Sequence, residues 1–252
     1  MRFRFLLLVS CFCCALVQAA ERPHPAPIEM RVGMGLSKPP YIMESDDRGM
    51  EFEIAEKALA AGGCKMVPLH FPPARALALL RAGQIDAMLS VDEGIGGNDY
   101  FSDPYLIYRN VAVTLANRHI ELRNIDDLLA YSVAAFQNAN VILGPRFKAV
   151  AAAHPDYKEY PQQITQDKML FTGRVDVVVG DQLIFRYFSA RLGPSIDGSQ
   201  PVEFHHIFPP NPRKAVFRDP ALRDRFNEGL RTIRRNGTYD AIVRKYMAQP
   251  TS

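Results

Sequence analysis

From residue 29 onward, short apolar runs alternate with stretches whose apolar residues recur every three or four positions. Residues 29–33 read as a first strand, ending in Gly33-Met34-Gly35 and a rigid turn at Pro39-Pro40-Tyr41. Phe52, Ile54, Ala55, Ala58 and Leu59 fall on one face of a helix over 50–61, which Gly62-Gly63 stops. A second strand over 65–70 follows, and Pro72-Pro73 opens a helix with Ala76, Leu77, Leu79 and Leu80 facing a core. Gly83 ends that helix before a buried strand at 85–91. Strand, helix, strand, helix, strand is the signature of parallel βαβ units.

The pattern then restarts. Residues 110–116 read as a strand leaving the first unit, Asp126 caps a short helix, and 131–136 is a strand. Helices are predicted over 141–153 and 166–172, then a strongly apolar strand over 174–180 and a helix over 181–192. Residues 203–208 and 214–218 read as strands, and 219–235 and 238–247 as a helical tail divided at Gly237. Two α/β halves, one interrupted by the other, put a ligand cleft between lobes, with strand ends and helix N-termini pointing into it. Such clefts commonly work by hinge closure.

The first residues have a different character. Arg2 and Arg4 precede an uncharged run over residues 5–17, and Val17-Gln18-Ala19 suits cleavage after Ala19, the layout of a secretory signal peptide. That run is well short of the roughly 20 apolar residues that cross a bilayer as a permanent helix. The competing reading is lipidation at Cys11, which Leu8-Val9-Ser10-Cys11 loosely fits. Cys11, Cys13 and Cys14 lie in the removed segment, so the lone Cys64 leaves no intramolecular disulfide in an oxidising compartment.

Without Arg2 and Arg4 the 30 basic residues fall to 28, against 27 acidic ones, which is not the footprint of a nucleic-acid binder. The sequence contains no Gly-x-Ser-x-Gly, P-loop, His-Glu-x-x-His or Cys-x-x-Cys arrangement and calls for no cofactor. His205-His206 is not a metal pair, because adjacent strand residues point to opposite faces.

An ordered set of segments resembles the family-3 extracellular solute-binding proteins, the polar-amino-acid receptors of bacterial import systems. The set comprises Met30-Arg31-Val32-Gly33, Pro39-Pro40-Tyr41, Phe52-Glu53-Ile54-Ala55, and 80–87 with Gly83-Gln84-Ile85-Asp86 at its centre. Further on come Tyr100-Phe101-Ser102-Asp103-Pro104-Tyr105, Asp126-Asp127-Leu128, 173–181, and Asn236-Gly237-Thr238-Tyr239-Asp240. The resemblance implies an α/β, periplasmic-binding-protein-like type II fold of two α/β lobes joined by two hinge strands. After the signal peptide (1–19), residues 20–113 plus 212–252 would form a discontinuous first lobe and 114–211 an inserted second one. It also implies a periplasmic, monomeric receptor that hands its solute to the membrane permease of an ABC importer.

Typical amino-acid receptors of this family clamp the ligand carboxylate with an Arg from the loop before the Phe-Ser-Asp-Pro-Tyr stretch. Here no Arg or Lys stands between Arg81 and Arg109, and the loop over 91–99 is acidic and glycine-rich. The family's Gly-Thr-Thr, a second carboxylate contact, is replaced by Asn138-Ala139-Asn140. The acceptor for the ligand ammonium does match, at Asp181, a residue that an N-cap would equally require. Arg75, in the first turn of its helix, is the candidate replacement cation, its spacing to Gly83 and Asp86 resembling a divergent branch of the family with an aromatic-x-Arg-Ala-Leu segment there. Lys38 is a second candidate and Tyr41 an aromatic wall; Asp92, beside Glu93, would favour a cationic group if it lined the cleft.

The sequence therefore reads as a non-enzymatic receptor for an amino acid or related amine. Two alternatives are an enzyme on the same fold, resembling cyclohexadienyl dehydratases, and a sensor that reports to a membrane receptor. The enzyme would need a general acid, for which Glu53, Asp92 and Glu93 are the carboxylates at hand.

Overall fold

The computed structural model describes residues 26–91 and 99–248; the predicted signal segment and the loop carrying Asp92 and Glu93 lie outside the described residues. Two sheets organise the chain. The first is built from β1 (Ile28–Met34), β2 (Cys64–His70), β3 (Ala87–Val91), β4 (Tyr100–Phe101), β5 (Leu106–Tyr108) and β11 (Asn211–Phe217). Its order is β2-β1-β3-β11-β4, with β5 also paired to β11. The β1–β2 and β1–β3 pairs are parallel, as the βαβ pattern requires, while β11 enters antiparallel.

The second sheet has the order β10-β6-β9-β7-β8, from β6 (Asn110–Leu115), β7 (Val133–Phe136), β8 (Tyr157–Tyr160), β9 (Val177–Asp181) and β10 (Val202–His205). Every residue of β6 and β9 is buried, so their near-continuous apolar runs are those of strands covered on both faces. Two cores flank this sheet, one around Phe147 and Val177, the other around Leu170 and Phe185.

Helices α1 (Met50–Ala61), α2 (Pro73–Arg81), α7 (Pro220–Arg235) and α8 (Thr238–Met247) belong with the first sheet. The close approach of α1 and α7 depends on Gly229: a Cβ there would lie 1.8 Å from the Ala58 carbonyl oxygen. Helices α3 (Ala139–Ile142), α4 (Gly144–Ala153), α5 (Gln163–Phe171) and α6 (Gln182–Ser189) belong with the second sheet.

The structure departs from the sequence pattern in four places. The short helix over Ile125–Ala130 is capped by Asn124, whose side chain accepts from the Asp126 amide, and not by Asp126. The helix expected over 141–153 is two helices, broken where Gly144 takes a φ of 89°. The short strands β4, β5 and β8 carry too few residues to show a period. All of β6 pairs within the second sheet, so the chain crosses between sheets at Arg109, ahead of the expected lobe limit at residue 113, and returns between His205 and Asn211. No helix among the described residues is long and apolar enough to cross a membrane.

Candidate ligand cleft between the sheets

A cavity of about 220 Å³ opens where the two sheets meet, with Lys38, Tyr108, Asn110, Gln163, Asp181 and Arg213 among its lining residues. Parallel strands β7 and β9 end at this cavity, and α6 begins there, so the expected placement of strand ends and helix N-termini holds.

Asp181 is the most constrained of these groups. It caps α6, with Oδ1 accepting from the backbone amides of Leu183 (2.9 Å) and Ile184 (3.1 Å). The Tyr41 hydroxyl donates to the same oxygen at 3.0 Å, and the Arg109 amide donates to Oδ2 at 2.8 Å. Burial pushes its carboxyl above the ordinary aspartate range, against the lowering effect of those donors. Three bonds crowd Oδ1 and one reaches Oδ2, so lone-pair capacity remains only at Oδ2. The N-cap role is thus present in full, and the remaining acceptor is one oxygen.

Tyr41 reaches Asp181 because of the turn before α1. Gly49 holds a φ of 128°, and a Cβ on it would stand 2.1 Å from the Tyr41 carbonyl oxygen. Without that Cβ the turn folds onto α1, whose Met50 and Glu51 amides donate to the Pro40 and Tyr41 carbonyls at 2.9 and 3.0 Å. The Tyr41 ring is buried and packs on Tyr108 with centroids 4.5 Å apart. It is a wall of the lobe junction more than of the small cavity, which it does not line.

Beneath Tyr108 lies a buried carboxylate that the sequence pattern concealed. Glu51 is 0 % exposed. It accepts from the Tyr108 hydroxyl at 2.8 Å and from the Tyr105 and Ser90 hydroxyls in short hydrogen bonds. Burial, then the neighbouring Glu51 charge, raise both phenols well above the ordinary tyrosine value, so they stay protonated donors. An acid in the otherwise apolar run Met50-Glu51-Phe52 was the signal for it.

The cations of the cavity are Lys38 and Arg213. Lys38 Nζ donates to the Tyr108 hydroxyl at 3.3 Å and sits 5.0 Å from the ring centroid. The Arg213 guanidinium lies 4.8 Å from the same centroid and is largely buried. Sequence reasoning missed Arg213, because it stands on a strand far along the chain and only the antiparallel entry of β11 brings it here. Arg75 goes elsewhere: it is exposed, its guanidinium 5.3 Å from the Phe71 ring, and it does not line the cavity. Glu53 is tied to Lys245 at 2.6 Å and to the Tyr246 hydroxyl at 2.5 Å.

Asn138 and Asn140 present backbone amides at the start of α3, but a carboxylate of the protein itself takes them. Glu159 Oε2 accepts from the Asn138 amide at 2.7 Å and Oε1 from the Asn140 amide at 2.9 Å. The Tyr157 hydroxyl adds a third bond at 2.6 Å. Asn138 adopts the left-handed conformation (φ 65°) that aims these amides at one anion.

Two sheets joined by two chain crossings, with a charged cavity at the crossing, define a two-lobed solute-binding fold of the type II periplasmic class. The chain belongs to the bacterial extracellular solute-binding proteins, family 3, whose sequence pattern matches residues 30–249. A probable histidine-binding protein of Campylobacter jejuni is 23 % identical over 259 aligned positions, covering 97 % of this chain and 94 % of its own. Among solved structures, an ancestral arginine-binding protein bound to arginine superposes with a TM-score of 0.65 at 22 % identity, covering 88 % of this chain and 99 % of its own. A histidine kinase sensor domain with similarity to periplasmic binding proteins gives 0.67 at 18 % identity, with 89 % and 98 % covered. These similarities carry the fold.

Proposed function

We propose that this protein captures a small zwitterion, an amino acid or a closely related amine, in the cleft between its lobes and delivers it to the permease of an ABC importer. The observation that carries this reading is the presence of both charge signs in the lining of one cavity: Lys38 and Arg213 with Asp181. A ligand carboxylate meets the cations, the planar guanidinium supplying paired donors. The ligand ammonium donates to Oδ2 of Asp181. The cavity, about 220 Å³, is smaller than the roughly 300–1,000 Å³ of clefts for drug-sized molecules, which suits a solute of this size.

The lobes turn about the crossings at Arg109 and 206–210, the inserted one beginning with β6 at Asn110 and ending with β10 at His205. Residues 1–19 serve as the export signal, and the mature receptor works in the periplasm as a monomer. Binding without chemistry is favoured over catalysis because the carboxylates nearest the cavity are engaged: Glu51 by three hydroxyls, Asp181 by four donors. Mass spectrometry of the small molecule released on denaturing freshly purified protein tests the reading. A stoichiometric solute carrying carboxylate and amine supports it; a sugar or a simple anion overturns it.

A further inference from the structure

The segment that carries the chain from one sheet to the other has two faces. Tyr108 and Asn110 line the cleft cavity, whereas Ile107 and Arg109 line a second cavity of about 320 Å³. Over residues 107–110 the lining side chains alternate between the two cavities, as in an extended strand, so the cavities adjoin this stretch on different faces. Asp181 lines both.

The second cavity has an apolar floor of Met50, Leu106, Leu183 and Val243. At its mouth Ile107 and Met247 are 45 % and 48 % exposed, high for side chains of their kind. Two guanidiniums line it as well, those of Arg109 and Arg186. Among the described residues neither guanidinium makes a hydrogen bond or ion pair; that of Arg186 rests 5.1 Å from the Phe204 ring. The carboxylate that lines the same cavity, Asp181, already takes four donors from the protein. An apolar floor beneath two uncompensated cations is complementary to a molecule with a short hydrocarbon body and one anionic head.

We infer that this cavity is a second ligand site, for a small amphipathic carboxylate. Its walls come from both sheets, α8 and β5 from the first and α6 from the second. Occupancy therefore favours one relative orientation of the lobes, which couples the site to the cleft on the other face of the crossing strand. The inference does not depend on which solute the cleft takes.

Octanoate is the probe, titrated into the full-length mature protein carrying methyl-labelled methionine. Saturable shifts of the Met50 and Met247 methyl signals are expected, with Met88, on the far side of the first sheet, unmoved. Arg109→Gln and Arg186→Gln each weaken binding, the pair together by at least about tenfold, the loss of one charged hydrogen bond. Octanol binds more weakly than octanoate. Melting curves of the variants matching the parent keep the comparison clean, since both arginines lie at the surface of the cavity. Unshifted Met50 and Met247 signals overturn the site. Equal octanoate affinity in the double variant, or octanol binding as tightly as octanoate, overturns its assignment to an anion.

Discussion

The Tyr41 hydroxyl donates to Oδ1 of Asp181 at 3.0 Å, a buried bond between residues 140 positions apart that joins the two halves of the molecule. Tyr41 comes from the turn before α1 on the first sheet, and Asp181 ends β9 on the second. One carboxylate thus caps a helix, holds a tyrosine of the other lobe and faces the ligand cavity.

Tyr41→Phe keeps the ring against Tyr108 and removes only that donor. A buried hydrogen bond to a charged group contributes about 1.5–3 kcal/mol. The urea midpoint of the variant is expected to fall accordingly, with an unchanged m-value. An unmoved midpoint would show that Asp181 does not need the hydroxyl.

The cation that receives a ligand carboxylate is expected to be Arg213 aided by Lys38, and not Arg75. Arg213→Gln should weaken binding of a stabilising amino acid by about tenfold or more, the range for a charged hydrogen bond. Lys38→Gln should weaken it less, and Arg75→Ala should leave calorimetric affinity unchanged. The reverse ranking would return the clamp to α2.

Asp167 gives the protein a pH dependence of its own. It is fully buried in α5, neither carboxyl oxygen has a hydrogen-bond partner among the described residues, and burial raises its pKa from 3.8 to about 8. The folded state then holds a proton that the unfolded chain has released. Stability from this group is complete below about pH 4, declines as the pH rises, and is lost by about pH 8. Asp167→Asn cannot ionise, so its advantage in melting temperature over the parent should be small at pH 5 and grow steadily towards pH 8. A constant difference across that range would refute the assignment.

Glu159 fills the amides of Asn138 and Asn140 with a charge from β8. Glu159→Gln weakens two charge-assisted bonds, and a loss of about 1–3 kcal/mol in stability is expected. Amide exchange at Asn138 and Asn140 should quicken more than at Val177–Asp181, the buried centre of the same sheet; uniform exchange would place Glu159 outside the turn's support.

Much of the fold was legible because its strands and helices carry clear periods. The runs at β1, β3 and β9 and the spaced apolar residues of α1 follow directly from burial on one or both faces. The site was legible only where chemistry and local structure coincide. Asp181 stood out because the end of an apolar strand and the start of a helix meet there. Arg213 did not, because nothing near it in sequence distinguishes it from a surface strand arginine; the pairing of Arg213 with Leu106 across β11 and β5 decides its place. Glu51 was hidden for the opposite reason. Charge at that position breaks the apolar face of α1, and three hydroxyls from distant segments make the break tolerable.

The most direct test of the central claim is a thermal-shift comparison of matched ligands: each free amino acid, its amine-free acid and its carboxyl-free amine. At least one amino acid should raise the melting temperature of the mature protein while both of its truncated analogues fail to. Stabilisation by an amine-free acid equal to that of its parent amino acid would contradict a cavity that reads both charges through Arg213, Lys38 and Asp181.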